Sequence, residues 1–288
     1  MKSRLARNIV AVLVLVVTLA AGSFFLQQHP TIMQQIFKTP PITLTGLLGL
    51  YLLFMISLWQ IFRSSLMLCD ITLPKTETLL VSAYSSIINF FGPLQSGPAF
   101  RALYLKRSHS LGVGKYALAS LVYYFFYAFY SGLFLVTGAL GWWVILLAIV
   151  GLGVMYGLLH LPIKILRQLK IFKWQGLVYT ALATLLQVST LAAIFYVELH
   201  SINHAVSLSQ ALIYTGAANF ALFVSITPAA IGFRESFVLL SRHLHHIPNA
   251  TAVGASLIDR GVYVVTLLLL AVFIFGTQAR ARLKRLTS

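Results

Sequence analysis

The sequence has few charged residues and almost no acidic ones. Of its 288 residues, 5 are Asp or Glu and 21 are Lys or Arg, and charged residues together make up 9% of the chain. Soluble globular domains carry about 25% charged residues. Because 59% of the residues are hydrophobic and no polar stretch is long enough to fold alone, a soluble fold is excluded. We expect residues 1–288 to form a single all-α polytopic membrane domain.

Cysteine and the common catalytic motifs are also scarce. The single cysteine, Cys69, excludes an internal disulfide and a cysteine-based metal cluster. The sequence has no Walker A loop, Gly-x-Ser-x-Gly elbow or zinc-protease motif. His243, His245 and His246 have no carboxylate or cysteine nearby to complete a metal site. We therefore expect no enzyme activity, no cofactor and no metal.

Long apolar runs are what the sequence does have. A spanning helix needs about 20 apolar residues, and six runs qualify: about 9–26, 42–62, 116–139, 142–160, 176–199 and 250–276. Two further stretches, 79–100 and 209–232, are interrupted by Gly and Pro, which weaken or break a helix. We predict six full transmembrane helices and two broken segments that each enter the membrane and return to their own side.

The basic residues indicate orientation and not nucleic-acid binding, because they cluster in the short connections between apolar runs. In the predicted layout, 17 of the 21 Lys and Arg residues lie on one side, Lys38, Arg234 and Arg242 on the other, and Arg260 within the last span. The side richer in Lys and Arg is normally cytoplasmic. We expect a multi-pass protein of the cytoplasmic (inner) membrane with both termini in the cytoplasm.

The layout contains an inverted repeat, approximately 1–140 and 141–288. The segment 119–127 matches 255–263, with Ala, Ser, Leu and Tyr identical in position. Around the broken stretches, Asn89 and Phe100-Arg101 parallel Asn219 and Phe233-Arg234. Two explanations stay open: a true duplication, or convergence on a shared membrane composition.

The five acidic residues fall into two groups. Asp70 and Glu77 lie in a basic loop and Glu198 lies at a span end beside His200, so we expect these three to be solvated or interfacial. Glu235 follows a broken stretch, and Asp259 lies roughly 13 Å into an apolar span at 1.5 Å per residue. A carboxylate at such a depth is costly unless it is paired or hydrated, which makes Glu235 and Asp259 functional candidates.

Asp259 and Arg260 are neighbours on a helix and point about 100° apart, so each needs a further partner. We favour Arg260 with Glu235, and Asp259 with Arg234 or Arg101, which would bring both broken stretches against the last span. Such a network could take part in a substrate or ion pathway, or it could only hold the helices together.

Arg101 and Arg234 each follow a broken stretch. The N-terminal ends of broken helices carry positive potential near the bilayer midplane. An arginine beside such an end adds hydrogen-bond donors suited to phosphate. The alternative is an arginine whose head group reaches back to the interface. The aromatic-rich run 123–130 also has two possible roles: its rings pack between helices, or they line a lipid cavity.

Three motifs together resemble the lysylphosphatidylglycerol synthase transmembrane-region family, which includes the flippase half of the multiple-peptide-resistance-factor proteins. They are the Pro-x-x-x-Gly-x-x-x-Arg spacing from Pro93 to Arg101, the segment Pro228 to Glu235, and Asp259-Arg260. The resemblance covers nearly the whole chain. It implies translocation of anionic or amino-acylated phospholipids, or handling of lipid-linked sugars, with Asn89, Arg101, Gly232, Glu235 and Arg260 matching recurring polar positions.

Two departures from the family qualify this expectation. Tyr123-Tyr124 stands where many members carry an acidic residue followed by Arg, which argues against strict lysyl-lipid handling. We also expect no synthase activity, because no aminoacyl-transferring domain follows residue 288.

The sequence thus predicts a lipid transporter or flippase that moves an anionic or amino-acylated phospholipid, or a lipid-linked head group, between leaflets. The alternative is a non-transporting accessory protein that binds a lipid or partners a lipid-modifying or glycosyl transferase. A lipid glycosyltransferase or hydrolase is a third, weaker possibility. The candidate pathway residues are Asn89, Arg101, Asn219, Gly232, Arg234, Glu235, Asp259 and Arg260.

Overall fold

The computed structural model describes residues 37–91, 96–146, 173–224 and 233–286, together with positions 27, 30, 34 and 149. All regular secondary structure in these ranges is helical. The helices are α1 (Pro41–Leu68), α2 (Lys75–Phe91), α3 (Ser96–His109), α4 (Val113–Leu140), α5 (Trp174–Ile202), α6 (Leu208–Val224), α7 (Phe233–Leu240), α8 (Arg242–His245) and α9 (Asn249–Leu286).

Four of these helices are long and apolar enough to cross a membrane: α1, α4, α5 and the part of α9 from Asn249 to Gly276. They agree with the predicted spans 42–62, 116–139, 176–199 and 250–276. The predicted span 9–26 lies outside the described residues, as does most of 142–160. The chain is therefore a multi-pass membrane protein, and its regular structure in the described residues is helical.

Helix α5 lies at the centre of the bundle and packs against α1, α4, α6 and α9. Its side chains Val188, Ile194 and Phe195 belong to the main apolar core. A spanning helix surrounded on several faces has more than one buried stripe, so polar groups on it can be enclosed by protein as well as by lipid.

The first broken stretch is a helical hairpin made of α2 and α3. Near the turn, the Ser96 hydroxyl donates to the Ile88 carbonyl at 2.8 Å and the Gly97 N–H donates to Asn89 Oδ1 at 3.2 Å. At the open end, His109 Nε2 donates to Glu77 Oε1 at 2.6 Å. The outer ends of α2 and α3 thus lie side by side, as do the ends at the turn.

Gly97 lets the two arms of this hairpin approach closely. A Cβ atom added at Gly97 would lie 2.7 Å from the Ser85 carbonyl oxygen and 2.8 Å from Asn89 Cβ, whereas one added at Gly114 would meet nothing within 4 Å. We expect Gly97→Ala to destabilise the protein by about 1–3 kcal/mol through overpacking. Gly114→Ala should leave stability unchanged or raise it through helix propensity.

Thermal melting of the two variants in detergent measures this difference. Equal melting temperatures for Gly97→Ala and Gly114→Ala would contradict the close approach of α2 and α3.

The second broken stretch joins α6 to α7, and its break, 225–232, lies outside the described residues. Helix α6 packs against α7 and α8, where the Tyr214 and His245 rings lie 5.9 Å apart. On its other side α6 approaches α4 so closely that a Cβ at Gly216 would lie 2.7 Å from the Ser131 carbonyl oxygen. Helices α4 and α6 therefore form a tightly packed pair.

One end of the bundle gathers the end of α1 and the beginnings of α4 and α5. Lys173 Nζ lies 2.8 Å from Asp70 Oδ1, and Lys115 Nζ lies 3.9 Å from Asp70 Oδ2. The hydrogen bond from Lys173, together with its positive charge, lowers the pKa of the Asp70 carboxyl. The end of α1 and the beginnings of α4 and α5 are therefore held together by these charges.

Candidate functional site

Two ion pairs join α7 to α9. Arg234 Nη1 donates to Asp259 Oδ2 at 2.5 Å, and Arg260 donates to Glu235 Oε1 through Nη2 and, at 3.1 Å, through Nε. The Ser256 hydroxyl donates to the same Glu235 oxygen at 2.6 Å. The pairing agrees with the predicted one and decides the alternative left open for Asp259: its partner is Arg234 and not Arg101.

These charges are largely removed from the surface. The exposed fraction of the side chain is 8% for Asp259, 7% for Arg260 and 12% for Arg234, while Glu235 keeps 24%. A shallow cleft reaches Arg234 and Glu235 between Val238 of α7 and Val253 of α9. The pairs are thus largely buried inside the helix bundle, and this cleft reaches them from its side.

A tyrosine from α1 donates a second hydrogen bond to the Asp259 carboxylate. The Tyr51 hydroxyl donates to Asp259 Oδ1, and its ring packs against Tyr263 with centroids 5.3 Å apart. Because Tyr51 is 1% exposed, this contact ties the first described span to the last deep in the bundle. Asp259 therefore links α1, α7 and α9.

Arg234 is only partly satisfied by these contacts. Its guanidinium carbon lies 5.0 Å from the centroid of the Phe195 ring, a cation–π contact with α5. Its Nε and Nη2 atoms are buried and find no hydrogen-bond acceptor in the described chain. Arg234 thus holds one carboxylate, contacts α5 through Phe195, and keeps two buried donors without an acceptor in the described chain.

The expectation for Glu198 was wrong. We predicted a solvated or interfacial residue, but its exposed fraction is 0%, and neither carboxylate oxygen has a hydrogen-bond partner within the described ranges. The reason is that α5 continues to Ile202 and is covered by α1, α6 and α9. Glu198 lies on the same face as Phe195, one helical turn further on, and the charges of Asp259 and Arg234 act on it.

A periodicity in the sequence could have signalled this burial. Leu191, Ile194 and Phe195 are all buried, and Glu198 is the next position of the same helical stripe. Proximity to the end of the apolar run concealed the pattern. Asp70 and Glu77 lie where they were expected, with side chains 46% and 26% exposed.

Arg101 occupies a different setting from Arg234. Its guanidinium carbon lies 5.6 Å from the centroid of the Phe62 ring. In the part of the chain that the structure describes, Arg101 has neither an ion pair nor a hydrogen bond, and its Nε is buried. Tyr116 and Tyr124 of α4 lie near it. Arg101 is therefore a positive charge without a described counter-charge.

Tyrosines of α4 extend from the surroundings of Arg101 to those of Arg234. Tyr123 lies near Arg101, and Tyr127 lies near Arg234. The two tyrosine rings are neighbours, with centroids 5.8 Å apart. Tyr123 and Tyr127 thus form a stripe of aromatic rings with hydroxyl groups between the two arginines.

The remaining candidates lie elsewhere. Asn89 connects α2 to the start of α3, as described above, and Asn219 donates to the Ser131 hydroxyl at 3.1 Å inside the contact between α6 and α4. Gly232 lies outside the described residues. The structure therefore brings Arg234, Glu235, Asp259 and Arg260 together, places Arg101 on the other hairpin, and gives the two asparagines local packing roles.

The histidines near α8 are not arranged as metal ligands. Both ring nitrogens of His245 are engaged by backbone groups, the Val238 carbonyl at 2.9 Å and the Ile247 N–H at 3.0 Å. Among the described residues, His, Cys, Asp and Glu nowhere form a group of three that could hold a metal ion.

Comparison with known proteins gives one clear result. No curated protein matches the chain. The sequence profile described as "Lysylphosphatidylglycerol synthase TM region" matches residues 8–271, which include both hairpins and the whole charged cluster. The chain therefore belongs to the lysylphosphatidylglycerol synthase transmembrane-region family.

Proposed function

We propose that this protein moves an anionic or amino-acylated phospholipid, or a lipid-linked head group, between the leaflets of the cytoplasmic membrane, and that it catalyses no reaction. The observation that carries the proposal is Arg101, a guanidinium with no counter-charge among the described residues. Charges inside membrane proteins normally pair or face a water-filled pathway. A lipid phosphate would supply the missing negative charge and accept two of the guanidinium hydrogen bonds.

Arg234 is the second binding position in this proposal. Its charge is balanced by Asp259 in the arrangement described, so a head group would meet Arg101 first and Arg234 only after that pair opens. The stripe formed by Tyr123 and Tyr127 runs between the two arginines and offers hydroxyl groups along the way. We interpret the aromatic run of α4 as the lining of the lipid pathway.

An inverted repeat would explain why both positions follow a broken segment. We propose repeats of approximately 1–140 and 141–288, six full spans and cytoplasmic termini, so that the two arginines face opposite leaflets. Rocking of one repeat against the other would then exchange access between them. The hairpin formed by α2 and α3 and the pairing of α6 with α7 support this reading.

Lipid movement in proteoliposomes tests the proposal. The purified protein is placed in phosphatidylcholine vesicles with a trace of nitrobenzoxadiazole-labelled phosphatidylglycerol, and dithionite reports the label in the outer leaflet. We expect the protein to speed exchange between leaflets and Arg101→Gln to slow it at least tenfold. Arg101→Lys should fall between the two, because lysine keeps the charge but lacks the forked donors.

Arg107→Gln is the matched control, since Arg107 lies on the same helix and is exposed. It should exchange lipid at the unmodified rate. Exchange no faster than in protein-free vesicles would overturn the transport function and favour the accessory-protein alternative. Full activity of Arg101→Gln would remove Arg101 from the pathway.

A further inference from the structure

Glu198 is a buried carboxyl group beside the two ion pairs and belongs to neither of them. Arg234 and Arg260 carry two positive charges, and Asp259 and Glu235 carry two negative ones, so the four paired groups are already neutral together. An ionised Glu198 would add a net negative charge to this enclosed site. It would also do so without a hydrogen bond, because neither of its oxygens has a partner in the described chain.

The groups that face Glu198 come from every helix packed around it. Tyr51 of α1, Tyr214 of α6 and Asp259 of α9 are close enough to interact with its charge, and α7 contributes Arg234. On α4, Tyr127 lies near Arg234. His200 follows two residues later on α5 and therefore points away from Glu198. Arg234 is thus the only cation among these neighbours.

An unpaired ionised carboxylate in an enclosed apolar site is far more costly than a neutral carboxyl group. We propose that Glu198 is a proton-binding site, and that loss of its proton draws Arg234 from Asp259 toward Glu198. The inference deepens the proposed function and rests on it, because it makes the proton the ion coupled to lipid movement. The proton is taken up from water on one side of the membrane and released to water on the other.

The position of Arg234 makes such an exchange short. Its guanidinium already lies against Phe195, one turn before Glu198 on the same face, and its Nε and Nη2 have no acceptor in the described chain. A deprotonated Glu198 would offer those donors a carboxylate. The contact between α7 and α9 through Asp259 would weaken as a result, at the second binding position of the proposed pathway.

The inference predicts that lipid movement depends on the pH difference across the membrane. In the vesicles described above, made with unequal internal and external pH, we expect the rate of phosphatidylglycerol exchange to change at least threefold when the gradient is reversed. Glu198→Gln, which imitates the neutral carboxyl, should fold normally and exchange lipid at the same rate for both gradients. A wild-type rate that ignores the gradient would overturn the coupling.

A second measurement does not depend on transport. The infrared spectrum of the unmodified protein at neutral pH should contain the carbonyl band of a protonated carboxyl group, and this band should be missing from the spectrum of Glu198→Gln. The control is Glu77→Gln, which replaces a partly exposed carboxylate beside His109 and should keep the band. Absence of that band in the wild type would refute the protonated Glu198. If no vesicle preparation moves lipid, the proposed function fails, whereas the infrared band still decides whether Glu198 holds a proton.

Discussion

Replacing Arg260 with glutamine is expected to lower the free energy of unfolding by about 3–5 kcal/mol, because it leaves a buried carboxylate without its counter-charge. Glu235 would keep only the hydrogen bond from Ser256 and the interactions with its other neighbours. Glu235→Gln should be similarly harmful, since it leaves the guanidinium of Arg260 in a site where its side chain is 7% exposed. Thermal melting in detergent, with the yield of folded protein, measures both effects.

The double variant separates a direct pair from two independent sites. When both charges are removed, no unpaired charge remains, so Glu235→Gln with Arg260→Gln should melt at a higher temperature than either single variant. Arg242→Gln, an exposed arginine on α8, is the control and should melt like the unmodified protein. Losses that simply add in the double variant would show that Glu235 and Arg260 do not interact.

Replacing Asp259 with asparagine is the second change with a large expected effect. It removes the counter-charge of Arg234 and the acceptor of the Tyr51 hydroxyl in one step. A complete loss of the buried pair would cost about 3–5 kcal/mol. Because Glu198 can supply a replacement carboxylate to Arg234, we expect the observed loss to lie at the lower end of this range, and the measurement is again thermal melting.

Combining Asp259→Asn with Glu198→Gln should then deepen the loss, although Glu198→Gln alone should have little effect. The control is Asp70→Asn, which removes an exposed carboxylate from a surface ion pair and should leave the melting temperature unchanged. If the double variant is no less stable than Asp259→Asn, Glu198 does not substitute for Asp259 at Arg234.

The two ion pairs could be predicted because their residues lie within or beside apolar runs, which contain few other charged residues. A carboxylate and a guanidinium inside an apolar run must find partners, and the sequence offers few. The four described spans could be predicted for the same reason, since runs of about 20 apolar residues have no soluble alternative. What sequence could not decide was the choice between Arg101 and Arg234 for Asp259, which depends on how the hairpins pack.

Glu198 and Asn219 show where prediction from local sequence failed or stopped short. The depth of Glu198 depends on the helices that cover the end of α5, and position within an apolar run does not reveal them. Asn219 stays a pathway candidate, but its contact with Ser131, just after the aromatic run 123–130, could not be expected from local sequence. Both outcomes depend on contacts between helices that are distant in sequence.

The order of the charges on α7 and α9 permits only one register between these helices. Arg234 followed by Glu235 faces Asp259 followed by Arg260, and both pairs join residues 25 positions apart. A slip by one residue would bring Glu235 against Asp259, where like charges repel. Gradual sliding is therefore opposed, and α7 can leave α9 completely only when both pairs have opened. When Arg234 turns from Asp259 toward Glu198, the Glu235–Arg260 pair would stay closed and serve as a pivot, so α7 could tilt without losing its register.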